Sequence, residues 1–167
     1  MANMNVKTEQ VQNLLNDGNK DLVTWGDSYT LGIELIDNQH KELVRLTNEL
    51  FRACLAGNET AETAFKAAMA QMVDYVRFHF STELELFKRI NYPNYQEHKK
   101  EHDTMVMNIL EASKEFSAGK KFVAHNFVRT LKDWILSHIA FADKLYVAYI
   151  NEQKNKGLLT DSQISGN

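Results

Sequence analysis

The sequence predicts an all-α protein, an antiparallel four-helix bundle, and three observations carry that reading. Breakers are scarce: the 167 residues include one proline and seven glycines, too few turns for a sandwich or barrel. Apolar residues recur at alternating spacings of three and four in four separate stretches, as the buried face of a helix requires. Only short connections separate the stretches, which favours antiparallel neighbours. With 44% hydrophobic and 25% charged residues, the composition suits one domain with a sizeable core.

Residues 1–21 form a polar N-terminal extension with room for a short amphipathic helix around Val6, Val11, Leu14 and Leu15. Residues 22–153 make the bundle. Its start, Val23 to Leu35 with Trp25, Tyr29 and Gly32, lacks a clean period and reads as an arm laid across the helices. The first helix, 36–56, rests on Ile36, Leu43, Thr47, Leu50 and Cys54, and Gly57-Asn58 stops it. The second, 60–90, rests on Phe65, Met69, Met72, Val76, Phe80 and Phe87; Pro93 disfavours helix at Tyr92. The third, 94–117, rests on Met105, Ile109, Ala112 and Phe116 and closes at Gly119. The fourth, 121–152, rests on Phe127, Leu131, Trp134, Phe141 and Leu145. Residues 154–167 read as a polar C-terminal tail, with Gly157 to Asn167 expected to fray.

Charge and targeting signals narrow the partners. The net charge of -3, from 19 basic and 22 acidic residues, offers no basic field for nucleic acid or an anionic membrane. No apolar run approaches the ~18–20 residues of a membrane span. Met1 to Lys20 has no apolar leader core. The single cysteine, Cys54, has no internal partner and reads as a core thiol. These features predict a cytoplasmic location.

The histidines occupy positions where apolar residues belong. His40 falls between Ile36 and Leu43; His79, followed by Glu83, falls between Val76 and Phe87; His98 and His102 lead into Met105; His138 falls between Trp134 and Phe141. His125 lies off its stripe. One inward histidine is usually a core residue satisfied by a neighbour. Five, with a glutamate, spread over four helices argue for metal, because unpartnered buried polar groups are costly and bundle cores hold metals with such side chains. His79/Glu83 and His98/His102 are i, i+4 pairs, only about 40° apart around the helix axis. Asp143 is the remaining carboxylate candidate. Five residues after His138, it sits about 140° away on an ideal helix, so it needs a π-type distortion or else is a solvated or interhelical aspartate.

Five imidazoles and two carboxylates exceed one four-coordinate zinc and suit two metals. If Glu83 and Asp143 both bridge and a solvent-derived oxo or hydroxo bridge is added, the histidines divide three and two. One metal then has six ligands and the other five, with one open position for a small ligand such as O2. The donor mix fits iron, with manganese and zinc still open.

These residues resemble the hemerythrin family in its bacterial form, from Trp25 to Tyr149. The resemblance rests on Trp25-Gly26-Asp27-Ser28-Tyr29-Thr30-Leu31-Gly32-Ile33, Ile36-Asp37-Asn38-Gln39-His40, His79-Phe80-Ser81-Thr82-Glu83, Tyr92-Pro93 followed by His98 and His102, and Trp134, His138, Ile139 and Asp143. It implies a non-haem centre of two iron ions (Fe2+/Fe3+) that binds O2 reversibly for carriage, storage or delivery, not an enzyme. It implies Asp143 as the second bridge, His98, His102 and His138 at the six-ligand iron, and His40 and His79 at the open one. Small anions such as azide are expected to compete with O2. Bacterial members often carry a second glutamate and a methionine where this chain has Leu84 and Phe87; Phe87 is therefore expected to face the core and shape the pocket.

Three rival readings fit less of the pattern. His98-Lys99-Lys100-Glu101-His102 spells an inverted zincin motif with Glu101 as base, but it leaves His40, His79, Glu83 and His138 idle. Without it, Glu101 is a solvated helix residue. A ferritin-like di-iron oxidase uses Glu-x-x-His motifs, and none of the six histidines has a glutamate three residues before it. An O2 or redox sensor would need the extension or an oligomer contact to pass on its signal.

Overall fold

The computed structural model describes residues 21–56, 59–120 and 123–165. Four helical segments form the bundle: α1 (Glu34–Ala56), α2 (Glu59–Ile90), α3 (Tyr95–Ser117) and a fourth made of α4 (Val123–Ser137), a π-helical turn (His138–Ala142) and α5 (Asp143–Asn155). A short α6 (Asp161–Ser165) follows, and a 3-10 turn at Asp27–Tyr29 precedes α1. α1 packs on α2 and α4, and α3 packs on α2 and α4, which closes the bundle. The short helix expected around Val6 to Leu15 lies outside the described residues.

The helix ends have local causes. Asn91 takes a left-handed φ of 52°. Past it, the Tyr92 amide donates to the Phe87 carbonyl at 2.9 Å and the Asn91 amide to Lys88 at 3.4 Å. This is a Schellman closure, and the rings of Phe87 and Tyr92 meet at 5.0 Å as its apolar contact. Gly119 closes α3 in the same way at φ 73°, with Lys120 N–H on the Glu115 carbonyl at 3.2 Å.

The arm before α1 is fastened by two buried polar residues. Asn48 Oδ1 accepts the amides of Leu22 and Val23, both at 3.0 Å, and its Nδ2 donates to the Val23 carbonyl at 2.8 Å. Asp37 accepts the Leu31 amide at 2.7 Å and the Gly32 amide at 2.9 Å. Asn48→Ala would leave the arm's backbone groups without partners in a buried setting. We expect it to lower stability by about 1–3 kcal/mol and to open the chain near Leu22 to protease; an unchanged denaturation midpoint and cleavage pattern would refute this fastening role.

The apolar core has two parts. One includes Leu43, Leu50, Met72, Phe80, Met105, Leu131 and Ile139; the other includes Ile36, Leu86, Phe87, Tyr92, Tyr146 and Ile150. The first three stripes face inward largely as expected. The fourth departs from expectation: Phe141 and Leu145 are 72% and 61% exposed, while Ile135, Ile139, Tyr146 and Ile150 are buried. The π turn inserts a residue and rotates the buried face, so a stripe extrapolated from Trp134 goes out of phase. The tail also differs from the frayed segment expected. Its α6 is held by Arg89, whose Nε and Nη2 donate to the carbonyls of Gln163 and Ile164 at 3.2 and 3.3 Å. Thr160 and Gln163 exchange hydrogen bonds as a capping box at its start.

Candidate metal centre

A polar seam separates the two apolar clusters. On α1, His40 lies between Ile36 of one and Leu43 of the other; on α2, His79 and Glu83 lie between Val76 and Leu86. Helix α3 adds His98 and His102, and the fourth segment adds His138 and Asp143. All seven are at most 4% exposed. His125 is exposed, as its place off the stripe predicts.

The π turn explains Asp143. Its amide donates to the His138 carbonyl, five residues back. Five residues then make little more than one turn, and both side chains face the seam. Asp143 Oδ1 lies 3.2 Å from His138 Nε2 and 3.3 Å from His98 Nε2, while Oδ2 lies 3.3 Å from His40 Nε2.

The imidazoles form two groups. In the first, His102 Nε2 is 3.0 Å from the Nε2 atoms of both His98 and His138. The second holds His40 and His79, with ring centroids 4.7 Å apart. Glu83 joins both metal-competent groups, His98/His102/His138 and His40/His79. Its Oε2 stands 3.2 Å from His102 Nε2 and 3.6 Å from His79 Nε2, and its Oε1 stands 4.0 Å from His40 Nε2. Both carboxylates therefore reach both groups, one oxygen to each side for Asp143.

Charges in the seam are strongly displaced. Burial pushes His79 down to about 3, against the pull of Glu83. Burial also opposes charge on His138, but Asp143, a hydrogen bond to Glu101 and Glu83 outweigh it and raise the group to about 10. Glu83 stays ionised despite burial because His79, His102 and His98 hold its carboxyl well below the usual range. Burial, with Glu83 and Asp143, drives the Tyr146 phenol well above its usual value, so it acts as a donor, its hydroxyl 2.9 Å from Glu83 Oε1.

The donor set fits a metal pair. Nε2 of His40 and His79, Oε2 of Glu83 and both oxygens of Asp143 are buried without hydrogen-bond partners among the described residues. Such atoms are expensive to bury unless a cation takes them. A bound cation would also displace the proton that the carboxylates draw onto His138.

The comparisons agree with this geometry. A family model described as the hemerythrin HHE cation binding domain matches residues 31–150. The chain belongs to the hemerythrin family. It is 30% identical over 126 residues to a bacteriohemerythrin of Methylococcus capsulatus, covering 75% of this chain and 94% of that one. It is 31% identical over 144 residues to a bacteriohemerythrin of Pseudomonas aeruginosa, covering 86% and 91%. A wild-type hemerythrin crystal structure superposes with a TM-score of 0.69 at 30% identity, over 76% of this chain and 96% of that one. Hemerythrin-family proteins bind a di-iron centre, and the buried cluster has the side chains to hold it. Among the described residues, no helix is long and apolar enough to cross a membrane.

Some supporting residues escaped the sequence reading. Gln39 Oε1 meets His79 Nδ1 at 3.0 Å. Glu101, read as solvated, is 52% exposed yet places Oε2 3.0 Å from His138 Nδ1. Glutamate directly before His102 was visible in the sequence, but its partner lies on another helix. Tyr146 was hidden by the phase shift. Phe87 is buried as expected, but its ring packs at the three-histidine end, 4.7 Å from His98 and 4.9 Å from Tyr146.

Proposed function

We propose that this hemerythrin-family chain binds O2 reversibly at a two-iron centre, with His98, His102 and His138 at one iron, His40 and His79 at the other, and Glu83 and Asp143 across both. The iron pair, when bound, supplies the electrons and the open position that O2 needs. The observation that supports this reading is the unequal division of the imidazoles, three and two, about two shared carboxylates. With equal bridging, the two-histidine side has one fewer ligand.

The chain's own residues then work by exclusion and orientation. Gln39 fixes the His79 ring and Tyr146 fixes Glu83. Phe80 stacks on His102 at 3.7 Å and Trp134 on His138 at 4.3 Å, so water has little approach to the seam. A groove of about 610 Å3, lined by Glu101, Trp134, Phe141 and Leu145, meets His138 from outside. Since Nε2 of His138 faces Asp143 and Nδ1 faces Glu101, the ring itself screens the seam from an organic molecule in that groove. This arrangement favours ligand binding over substrate turnover.

Purified protein is expected to carry about two irons per chain, as seven ligands for two metals require. Its visible spectrum should change on O2 addition and return on removal, and azide should compete. One tightly held zinc in a colourless protein would refute the reading, and rapid saturable oxidation of an organic reductant would replace it with an oxidase.

A further inference from the structure

Two of the five seam imidazoles have the ring nitrogen that points away from the seam held by a side-chain acceptor, and the acceptors differ in charge. On the two-histidine side the chain of donors is closed. Thr82 Oγ1 donates to the Phe78 carbonyl at 3.0 Å, so it must accept from Gln39 Nε2 at 3.2 Å. That fixes the Gln39 amide with Oε1 towards His79 Nδ1, which therefore carries the proton and leaves Nε2 free for a metal. The acceptor is a neutral amide. On the three-histidine side the acceptor of His138 Nδ1 is the Glu101 carboxylate. The outer nitrogens of His40 and His102 have no hydrogen-bond partner among the described residues, so these two contacts distinguish the two sides.

A metal-bound imidazole whose outer N–H donates to a carboxylate is a stronger electron donor than one bonded to an amide, because the anion draws the proton and leaves negative charge on the ring. Stronger donation stabilises ferric over ferrous iron. We propose that Glu101 and Gln39 are positioning residues that give the two irons different redox preferences: Glu101, through His138, favours ferric iron at the three-histidine position, and Gln39, through His79, leaves the two-histidine position with the greater preference for ferrous iron. The side with the open position is then the side that keeps its electron longer in the absence of ligand. This assignment rests on the two-iron reading but not on reversible O2 binding.

The test is an anaerobic potentiometric titration of iron-loaded wild type, Glu101→Gln and Gln39→Glu, followed optically and by Mössbauer spectroscopy to assign each iron, with iron per chain measured alongside. Working without O2 separates failure here from failure of O2 carriage. Glu101→Gln keeps the hydrogen-bond acceptor and removes the charge. It should retain two irons and lower the ferric preference of the three-histidine iron about tenfold, a midpoint about 59 mV higher for one electron. Gln39→Glu should move the two-histidine iron in the opposite direction and narrow the difference between the sites. A purely structural Glu101 would alter melting temperature or iron content without moving a midpoint. Unchanged midpoints in Glu101→Gln overturn the proposal, and because Glu101 is half-exposed on α3 that variant decides the matter even if Gln39→Glu fails to fold.

Discussion

His102→Ala is expected to weaken iron binding by more than about 100-fold, the upper end of what loss of an outer partner alone produces. His102 occupies the middle of the three-histidine group: its Nε2 lies 3.0 Å from those of His98 and His138 and 3.2 Å from Glu83 Oε2. On the proposed assignment, removing it would take a donor from the iron that has no open position and leave Glu83 Oε2 without the imidazole that stands 3.2 Å from it. His125→Ala is the control. That side chain is exposed on α4, and its loss should fall within about 0.5 kcal/mol of wild type with two irons retained. Iron content after chelator challenge, with helix content followed by circular dichroism, tells metal loss from unfolding. Equal iron loss in the two variants, or none in His102→Ala, would break the assignment of ligands.

How far the sequence could be read depends on where its period was regular. Along α1, α2 and α3 the stripes run uninterrupted, so the places of His40, His79, Glu83, His98 and His102 follow from counting residues. The fourth segment is where counting fails. An ideal helix from Leu131 carries Phe141 and Leu145 inward and turns Asp143 away; the π turn reverses both outcomes. The awkward offset of Asp143 from His138 was itself the signal, because a ligand five residues on can face the same side only if the helix is distorted. Phe141 and Leu145 gave no comparable warning, since an exposed apolar side chain breaks no bond. Gln39 and Glu101 were illegible for a different reason. Each acts across an interhelical gap on a ring or carboxylate of another element, and helical spacing carries information only about its own face. The tail misled because its anchor, the Arg89 guanidinium on two backbone carbonyls, leaves no trace in apolar periodicity.

Phe87→Ala is expected to lower stability by about 3–5 kcal/mol, the range for deleting a fully buried phenylalanine. The ring is buried among Tyr92 at 5.0 Å, Tyr146 at 4.9 Å and His98 at 4.7 Å. Each neighbour has a second task. Tyr92 belongs to the Schellman closure that ends α2, Tyr146 donates to Glu83 Oε1, and His98 lies 3.3 Å from Asp143. A cavity there would release the end of α2 and loosen Glu83 and His98 together. Polar atoms beside the cavity would admit water, unlike an all-apolar void. Water and protons assist release of reduced oxygen species, so the variant should autoxidise faster than wild type as well as unfold at lower denaturant. The two effects are measured separately, by the denaturant midpoint of the iron-loaded protein and by the decay of its oxygenated spectrum. A drop in stability with an unchanged decay rate would make Phe87 a packing residue alone. A faster decay at near-normal stability would mean that the ring excludes water while its neighbours support one another without it.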